Sequence, residues 1–391
     1  MIHVVGGTYF ETCRSPRIQQ FYGSGGRAAA ALGNMTDVVL HTYATPESGP
    51  RLEALSKRFA FEVVRHVGEQ TPHFDYPHGL HNPSLSPSPT LIRQMAPIEV
   101  KADLVLAFGM IEGSGNIDAS IAIYDPQSET MPRPFSEIGR ADRLAIVGNV
   151  PEIRRLGHSD DFATAAEKLR TDGASVVIVK QGPAGATVFH PEGTSLVPPF
   201  RSNNLVPIGS GDVFSAAFAW FWGHEGLAPV AAARYASQCV STYMENRVPR
   251  VLPGEALEQL SFVEASVKPG QVYLAGPFFT MTQLRLIEEA LGVLRGAGVK
   301  VFSPYHEIGL GGPEVARKDL AGLDKSDRVL AILDGCDPGT VFEIGYAVAL
   351  GRDVVAYCED VPAERLTMIR GTDCTVVSDF ATALYRTIWG W

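Results

Sequence analysis

The chain alternates short apolar, β-branched runs with helical patterns, and it does so twice. In its first part the apolar runs are residues 38–40, 104–108, 121–124, 144–147 and 176–179, and the helical patterns are residues 160–171, 211–222 and 229–243. Strands that are apolar throughout and alternate with helices are typical of a parallel sheet covered on both faces. The pattern predicts a doubly wound α/β domain in this part of the chain.

The alternation weakens over residues 249–270 and then starts again. Five further strands are predicted at residues 272–275, 299–302, 328–333, 354–357 and 375–377, with helices at 281–295, 313–323, 341–350, 363–369 and 380–388. This second pattern predicts a smaller, flavodoxin-like domain with five parallel strands, whose ligands bind at the carboxyl ends of the strands. We therefore divide the chain into a domain at 1–262, a linker at 263–270 and a domain at 271–391.

Composition and charge limit the ligands and the cellular environment that we expect for this protein. The chain has 391 residues and a formal net charge of −10 without a basic stripe, which argues against nucleic acid as a ligand. The five cysteines are scattered and include no C-x-x-C pair, as expected of reduced thiols in the cytoplasm. Every apolar run is interrupted by Gly, Pro or a charge, so we expect a soluble protein without a membrane segment.

The run Gly209-Ser210-Gly211-Asp212 directly precedes a strongly apolar helical pattern. Glycines let successive backbone N–H groups point toward one place, and the start of a helix adds partial positive charge there. Such a nest suits a phosphate, and Asp212 beside it can accept the proton of an incoming hydroxyl. Alternatively, the run is only a glycine-rich loop that leads into a buried helix.

Two other loops follow predicted strands of the same domain. Asn149 and Glu152 come after residues 144–147, and a turn containing Gly182 and Gly185 comes after residues 176–179. An amide and a carboxylate at a strand end can position water and magnesium beside phosphates. The glycine turn is suited to lie under a nucleotide.

With these motifs, residues 1–260 resemble the PfkB, or ribokinase-like, carbohydrate kinases. The resemblance implies ATP and Mg²⁺ as cofactors, Asp212 as the base, a phosphoryl-binding backbone at residues 209–211, and indirect binding of magnesium by Asn149 and Glu152. It also implies that the substrate is contacted by Glu11, Gly25, Gly26 and Arg27.

The sequence departs from the family pattern at several points. Arg27 stands where the family has asparagine, and Val206 replaces the acid that opens the family's nest motif. The N-terminal portion is short, so we expect the β lid to be reduced or absent. We expect residues 71–89, which are rich in Pro, His and Ser, to form an irregular loop or an edge hairpin.

A second set of acids lies in the C-terminal domain. Asp319 precedes the predicted strand at 328–333, and Asp337 and Glu343 follow it, separated by a turn and about one helical turn. A carboxylate on an otherwise buried helical face is costly unless it has a partner or a function. Glu343 is therefore either a functional acid or an acid satisfied by backbone N–H groups or a salt bridge.

Together with the segment 273–278, these acids make residues 271–391 resemble the nucleoside 2-deoxyribosyltransferases and related N-glycosidases. The resemblance implies that Glu343 attacks the anomeric carbon to form a glycosyl-enzyme, while Asp319 and Asp337 orient the sugar and handle protons. It implies further substrate contacts from the following residues: Tyr273, Gly276, Pro277, Phe278, His306 and Arg370. His306 can equally be a structural loop residue.

The sequence as a whole predicts a bifunctional enzyme of nucleoside and sugar metabolism. One site phosphorylates a hydroxyl group from ATP, and the other cleaves or transfers an N-glycosidic bond. Transfer and hydrolysis stay open, as does the order of the two reactions. The alternative is a degenerate kinase domain that senses a nucleotide or sugar and regulates an active N-glycosidase. We expect small nucleosides, nucleotides or sugars as ligands, and a homo-oligomer.

Overall fold

The computed structural model describes residues 1–391, which divide into two compact units, Met1–Glu264 and Ala265–Trp391. We refer to them as the first and the second unit. No helix in either unit is both long enough and apolar enough to cross a bilayer.

The first unit contains thirteen strands and seven α-helices. The strands are β1 (Ile2–Val5), β2 (Phe10–Ser15), β3 (Ile18–Phe21), β4 (Val38–Ala44), β5 (Glu62–Val67), β6 (His73–His78), β7 (Ser84–Ser86), β8 (Ile98–Phe108), β9 (Gly115–Asp125), β10 (Gly139–Asn149), β11 (Val176–Lys180), β12 (Ala186–His190) and β13 (Gly193–Val197). The helices are α1 (Gly23–Leu32), α2 (Gly49–Phe59), α3 (Val150–Leu156), α4 (Phe162–Thr171), α5 (Ser210–Phe218), α6 (Pro229–Asn246) and α7 (Gly254–Glu258), and α5 continues as a π-helix, Ala219–His224.

Nine of these strands form one sheet in the order β13-β12-β11-β10-β9-β8-β1-β4-β5. Pairing is parallel from β5 to β11, and β12 and β13 add antiparallel strands at one edge. Helices α1, α5 and α6 pack into one large apolar core against this sheet. Because the parallel strands point the same way, their carboxyl ends lie along a single edge.

Strands β8, β9 and β10 each have eleven residues and begin well before the apolar runs that predicted them. In β8, Ile98 and Val100 are buried while Glu99 and Lys101 are exposed. This alternation is typical of a strand with one face in solvent. The apolar runs therefore identified only the portions of these strands that are covered on both faces.

A second sheet in the first unit corrects the expectation of an absent lid and decides between the two alternatives for residues 71–89. Four strands pair in the order β3-β2-β6-β7, so a small β sheet is present where we expected a reduced or absent lid. Residues 71–89, expected to be a loop or edge hairpin, form β6 and β7, which pair antiparallel as a hairpin at the edge of this sheet, so the hairpin alternative is confirmed. The parallel pairing of β6 with β2 was not predicted, because β6 is polar and contains Pro77, which weakens a strand pattern.

The second unit contains five strands and six α-helices. The strands are β14 (Gln271–Ala275), β15 (Lys300–Phe302), β16 (Arg328–Ile332), β17 (Asp353–Tyr357) and β18 (Thr375–Val377). The helices are α8 (Met281–Gly296), α9 (Pro304–Glu307), α10 (Pro313–Asp324), α11 (Pro338–Ala349), α12 (Thr367–Arg370) and α13 (Phe380–Trp389).

All five strands of the second unit are parallel and lie in the order β15-β14-β16-β17-β18. This is the flavodoxin-like order, in which the chain reverses its direction of travel between β14 and β16 and leaves a crevice at their carboxyl ends. The predicted fold class, a ribokinase-like α/β domain followed by a five-stranded flavodoxin-like domain, is confirmed.

Arg328 ties together three segments of the second unit beneath this sheet. Its side chain is 2% exposed and donates hydrogen bonds to the carbonyl oxygens of Thr387 (2.7 Å), Pro269 (3.0 Å) and Lys268 (2.8 Å). The guanidinium therefore joins the start of the second unit to its last helix. Burial lowers the pKa of this arginine.

We expect Arg328→Met to lower the free energy of unfolding of the second unit by roughly 3 kcal/mol, because three carbonyl oxygens lose their donor while partly buried. Hydrogen exchange of second-unit amides in the full chain measures this. The control is Arg295→Met. Arg295 is 52% exposed, and its one ion pair, with Glu307, is long at 3.8 Å. Equal protection in both variants would contradict the structural role of Arg328.

Candidate active sites

Three neighbouring parallel strands of the first unit end in polar side chains. Asp125 is the last residue of β9, Asn149 of β10 and Lys180 of β11. Asn149 and Lys180 are paired across the two strands. The sheet therefore delivers an acid, an amide and a cation to one place at its carboxyl edge.

Asp125 is the centre of a buried network that the sequence did not single out. Its Oδ2 accepts hydrogen bonds from Lys180 Nζ (2.6 Å) and Ser215 Oγ (2.8 Å), and Oδ1 accepts one from Gln127 Nε2 (3.0 Å). Burial alone would lower the pKa of Lys180, but attraction to Asp125 and Glu152 outweighs it and the pKa lies above its usual value. The lysine is held as a cation.

Asn149 and Glu152 form a capping box at the start of α3. Asn149 Oδ1 accepts from the Glu152 amide (2.8 Å), and Glu152 Oε2 accepts from the Asn149 amide (2.8 Å). Burial, followed by repulsion from Asp125, raises the pKa of Glu152 to about 7, although Lys180 opposes the shift. The pair thus has a local structural role. Glu152 is in addition an acid with a raised pKa, affected by the charge of Asp125 in the neighbouring network.

The predicted anion nest lies at the start of α5. Gly209 has φ 79°, which glycine adopts readily, and Ser210 begins the helix. The amides of Gly211 and Asp212 lie in the first turn, where no intrahelical carbonyl is available to them. A Cβ atom at Gly211 would lie 3.2 Å from Lys180 Nζ, so this cation is directly beside the nest.

Asp212 is buried and paired with an arginine. Arg27 Nη1 donates to Asp212 Oδ2 (2.6 Å), and Nη2 of the same guanidinium donates to Glu11 Oε2. Gln127 Nε2 lies 3.3 Å from Asp212 Oδ1. Burial raises the pKa of Asp212, Arg27 lowers it, and the result is about 6.

Asp212, Glu11 and Arg27 line a cavity of about 260 Å³. The small β sheet contributes to its wall through Phe74 and Tyr76 of β6. Its lining residues are Tyr9, Glu11, Gly23, Ser24, Arg27, Phe74, Tyr76, Gly109, Ile111, Gln127, Gly209, Gly211 and Asp212.

Four predicted glycines lie outside this lining. Gly25 is packed against Gly6, where a Cβ would come within 2.6 Å of backbone, and Gly26 faces the Thr8 side chain. Gly182 (φ 54°) and Gly185 (φ 87°) form the turn after β11, and a Cβ at Gly185 would lie 2.2 Å from the Val197 carbonyl oxygen. The structure gives Gly25 and Gly185 a reason to be glycine that is independent of any ligand.

In the second unit, β14 and α11 bring Tyr273 and Glu343 together. Tyr273 is fully buried and stacks on Phe302, with ring centroids 5.6 Å apart. Its hydroxyl donates to Glu343 Oε1 at 2.5 Å. The stacking fixes the ring, and the ring in turn fixes the carboxylate.

Burial raises the pKa of Glu343 to about 7, and the charges of Asp319 and Asp337 add to the shift while the Tyr273 hydrogen bond opposes it. The three predicted acids therefore act on each other electrostatically. An acid poised near neutrality is typical of a reacting group.

Asp319 and Asp337 differ in their hydrogen bonding. Asp319 Oδ1 is buried and has no hydrogen-bond partner, and burial raises the pKa of this acid. Asp337 caps α11, because its Oδ2 accepts from the Thr340 amide (2.8 Å) and hydroxyl (3.0 Å). Asp319 has free accepting capacity, whereas Asp337 holds the helix that carries Glu343.

The other predicted residues of this site have varied surroundings. Gly276 follows β14, and a Cβ there would lie 2.7 Å from Ile287 and 2.9 Å from Ile332. The next residue, Pro277, is buried, and Phe278 contacts Tyr305, with ring centroids 5.2 Å apart.

Both nitrogens of His306 have partners, Ser303 Oγ (2.9 Å) and Glu288 Oε1 (2.9 Å), which favours the structural alternative for this histidine. Arg370 ends α12 and is exposed.

The donor set limits how a metal could bind. No group of three His, Cys, Asp or Glu side chains in the chain is arranged to hold an ion directly. Asp125 and Glu152 supply the oxygen atoms that magnesium prefers, but Asp125 already pairs with Lys180. These residues fit a magnesium ion that is held mainly by water and phosphates, as the indirect assignment to Asn149 and Glu152 supposed.

Two residues of the first site could have been predicted from the sequence. Asp125 directly follows the apolar run at 121–124, and Lys180 directly follows the run at 176–179, so both occupy the strand-end position that identified Asn149. Gln127 carries no such pattern, and its bridge between Asp125 and Asp212 depends on the tertiary fold.

The raised pKa of Glu343 predicts a pH-dependent effect of Glu343→Gln on stability. The folded state binds the proton more tightly than the unfolded chain, so the contribution of Glu343 is favourable below about pH 4.5 and is lost as the pH rises through about 7. Glutamine stays neutral and can still accept from Tyr273. We expect the variant to melt above the wild type at pH 8 and to match it near pH 4.5.

Thermal unfolding of the full chain across this pH range measures the effect. The control is Glu364→Gln, which changes an exposed glutamate of the same unit. A Glu343→Gln difference that is constant with pH would contradict the burial of a titrating acid.

Comparisons with known proteins match each unit to a different family. Residues 140–248 match the model of the pfkB family carbohydrate kinases, and residues 272–377 match that of the nucleoside 2-deoxyribosyltransferases. Neither match spans half of the chain. A search of the curated proteins finds no match.

Solved structures similar to the chain are kinases of the ribokinase type. A fructokinase double mutant from Vibrio cholerae O395, solved with fructose, ADP and potassium, is 12% identical, with 66% of this chain and 97% of that chain covered and a TM-score of 0.51. A pyrophosphate-dependent kinase in the ribokinase family, solved with a pyrophosphate analog and myo-inositol, is 16% identical, with 66% and 100% covered and a TM-score of 0.48. The ribokinase from Thermotoga maritima is 19% identical, with 66% and 98% covered and a TM-score of 0.45.

At 12% identity and a TM-score of 0.51, the fructokinase structure shows a shared fold and nothing about substrates. The two family resemblances seen in the sequence are thus confirmed: the first unit carries a pfkB carbohydrate kinase segment, and the second carries a nucleoside 2-deoxyribosyltransferase segment.

Proposed function

We propose that the second unit breaks the N-glycosidic bond of a nucleoside or nucleotide through a covalent intermediate on Glu343. The observation that carries the proposal is the 2.5 Å hydrogen bond from the Tyr273 hydroxyl to Glu343 Oε1. It orients a half-buried carboxylate whose pKa is about 7 and which is therefore substantially ionised at neutral pH. The match to the nucleoside 2-deoxyribosyltransferase model supports the same chemistry.

The proposed reaction has two steps. A Glu343 oxygen forms a bond to the anomeric carbon, the bond from that carbon to the base nitrogen breaks, and the electron pair leaves with the base, which takes up a proton. Water or a second base then attacks the anomeric carbon, loses a proton to a neighbouring acid, and the bond from that carbon to Glu343 breaks. The first outcome is hydrolysis and the second is transfer.

The neighbouring acids have different roles in this proposal. Asp319 has an unpartnered, buried oxygen, so it is suited to accept a hydrogen bond from a sugar hydroxyl or to exchange a proton with the base. Asp337 is a positioning residue, because its oxygen is used to cap the helix that carries Glu343. Tyr273 orients the nucleophile and keeps part of it ionised.

We expect Glu343→Ala to reduce base release by about a thousandfold or more, since the attacking group is removed. Chromatography of the free base from a panel of deoxynucleosides and their 5′-monophosphates measures this, with and without an acceptor base to separate transfer from hydrolysis. Glu364→Ala is the control. Unchanged release in Glu343→Ala would remove Glu343 as the nucleophile.

We expect Tyr273→Phe to shift the acidic limb of the pH profile of kcat/KM to higher pH. The lost hydrogen bond lowers the pKa of Glu343 in the wild type, so without it a smaller fraction of the acid is ionised. Tyr346→Phe is the matched control, because Tyr346 lies on the same helix and donates to an exposed acid, Asp324 (2.9 Å). Identical pH profiles of Tyr273→Phe and wild type would show that the Tyr273 hydrogen bond does not lower the pKa of Glu343.

For the first unit we propose transfer of a phosphoryl group from ATP to a hydroxyl group. The nest at the start of α5, with Lys180 beside it, is suited to the transferring group, and Asp212 is suited to accept the hydroxyl proton. Magnesium would lie near Glu152 and Asn149 and would neutralise charge on the donor phosphates. The match to the pfkB family model supports this proposal.

We expect Asp212→Asn to abolish acceptor-dependent ATP turnover, with a loss of roughly 10²–10⁴-fold, because asparagine cannot accept the proton. A coupled assay of ADP release over a panel of sugars, nucleosides and their phosphates measures this. Asp118→Asn, at an exposed acid that pairs with Arg140, is the control. Equal turnover in Asp212→Asn and wild type would refute Asp212 as the base.

A further inference from the structure

Arg27 stands between the two acids of the cavity in the first unit. The guanidinium pairs with Glu11 through Nη2 and with Asp212 through Nη1, and the side chain is 1% exposed. Glu11 is the acid expected to hold the acceptor, and Asp212 is the proposed base. One cation therefore engages both acids that an acceptor hydroxyl would have to approach.

The base has no oxygen left that is without a donor. Arg27 donates to Asp212 Oδ2 at 2.6 Å, and Gln127 Nε2 lies 3.3 Å from Oδ1. A general base must come within hydrogen-bond reach of the proton that it removes. The acceptor must therefore displace Arg27, which makes the shorter of these two hydrogen bonds, and take its place as the donor to Asp212.

Arg27 also has an unused donor. Its Nε is buried without a partner and lies against Gly209, where a Cβ atom would be 2.2 Å away. A buried N–H without an acceptor costs about 1–3 kcal/mol, so a shift of the guanidinium that gave Nε an acceptor would be favoured. The pairing of Arg27 with Glu11 and Asp212 thus leaves one of its donors unsatisfied.

The charges around the cavity favour a ligand with negative charge. Arg27 is the one cationic side chain among the lining residues, and Glu11 and Asp212 are the acids. The start of α5 and Lys180 beside Gly211 add positive potential from behind the lining. An acceptor with its own anionic group offers Arg27 a new partner in exchange for Asp212, whereas a neutral sugar or nucleoside offers none.

We propose that Arg27 selects the acceptor of the first unit: a compound that carries a phosphate or carboxylate near its reacting hydroxyl draws the guanidinium from Asp212, and a neutral compound does not. This rests on the proposed phosphoryl transfer. The freed Asp212 takes the hydroxyl proton, the hydroxyl oxygen bonds to the terminal phosphorus of ATP, and ADP leaves with the electrons of the broken P–O bond.

The test compares wild type with Arg27→Gln in the full chain, using ribose against ribose 5-phosphate and deoxyribose against deoxyribose 5-phosphate. We expect the wild type to turn over the phosphorylated member of each pair faster by about tenfold or more, as for a charge-assisted contact of 1.4 kcal/mol or greater. In Arg27→Gln this preference should disappear, with turnover of the neutral member rising. A wild-type preference for neutral sugars, or an unchanged ratio in Arg27→Gln, would overturn the proposal.

Calorimetric binding of the same four sugars keeps the proposal separate from catalysis. We expect the phosphorylated sugars to bind the wild type about tenfold more tightly than Arg27→Gln. If this holds and no ATP is turned over by either protein, the phosphoryl transfer fails and the alternative of a sensing domain gains support. If binding is equal in both proteins, the selecting role of Arg27 is wrong whatever the turnover.

Two controls guard against loss of the fold. Arg140→Gln removes an arginine that makes two hydrogen bonds to one exposed acid, Asp118 (3.0 and 2.8 Å), and it should leave the ratio of acceptors unchanged. Arg27→Lys keeps the charge in case the glutamine variant unfolds, and we expect it to retain part of the preference for phosphorylated sugars. Loss of the preference in Arg140→Gln, or a preference for neutral sugars in Arg27→Lys, would contradict the assignment to Arg27.

Discussion

A carboxylate that is buried away from water needs a donor or a cation beside it, and both units are organised around this requirement. In the first unit, Arg27 accompanies Asp212, and Lys180 accompanies Asp125. In the second unit, a single phenolic hydroxyl, that of Tyr273, accompanies Glu343. Asp212 and Glu343 are therefore compensated in part, and the pKa of each lies above that of an exposed carboxyl but is held down by its partner.

The two solutions have different chemical consequences. A guanidinium that pairs with a base holds it charged, but it also stands where a substrate hydroxyl would approach. A tyrosine hydroxyl occupies one oxygen of a carboxylate and leaves the other available to attack. The pKa values of about 6 for Asp212 and about 7 for Glu343 follow from burial in each case, with the arginine and the tyrosine as the opposing influences. In the proposed mechanisms, Glu343 can therefore attack without losing its partner, whereas Asp212 can act as a base only after a ligand has displaced Arg27.

The sequence was sufficient for the fold because the apolar runs of parallel strands and the glycine nest are local patterns. The sequence was also sufficient to place Asp212 at the start of one helix and Glu343 on another helix. It could not supply partners, since the Arg27–Asp212 pair joins residues 185 positions apart and the Tyr273–Glu343 pair joins residues 70 apart. The small β sheet was missed for another reason: its strands mix polar and apolar residues without a clear alternation, and the apolar cluster against which Cys13, Ile18 and Tyr76 pack is completed by Val206 and Ile208, far away in the sequence.

The chemistry proposed for the second unit depends on a covalent bond between Glu343 and the sugar. This bond can be detected by acid quenching of the full chain during turnover of a deoxynucleoside, followed by mass spectrometry of its peptides. We expect a deoxyribosyl adduct on the peptide that contains Glu343 and none in Glu343→Gln. Base release without any adduct, under conditions in which the second step is made slow by withholding an acceptor, or an adduct on a different residue, would contradict it.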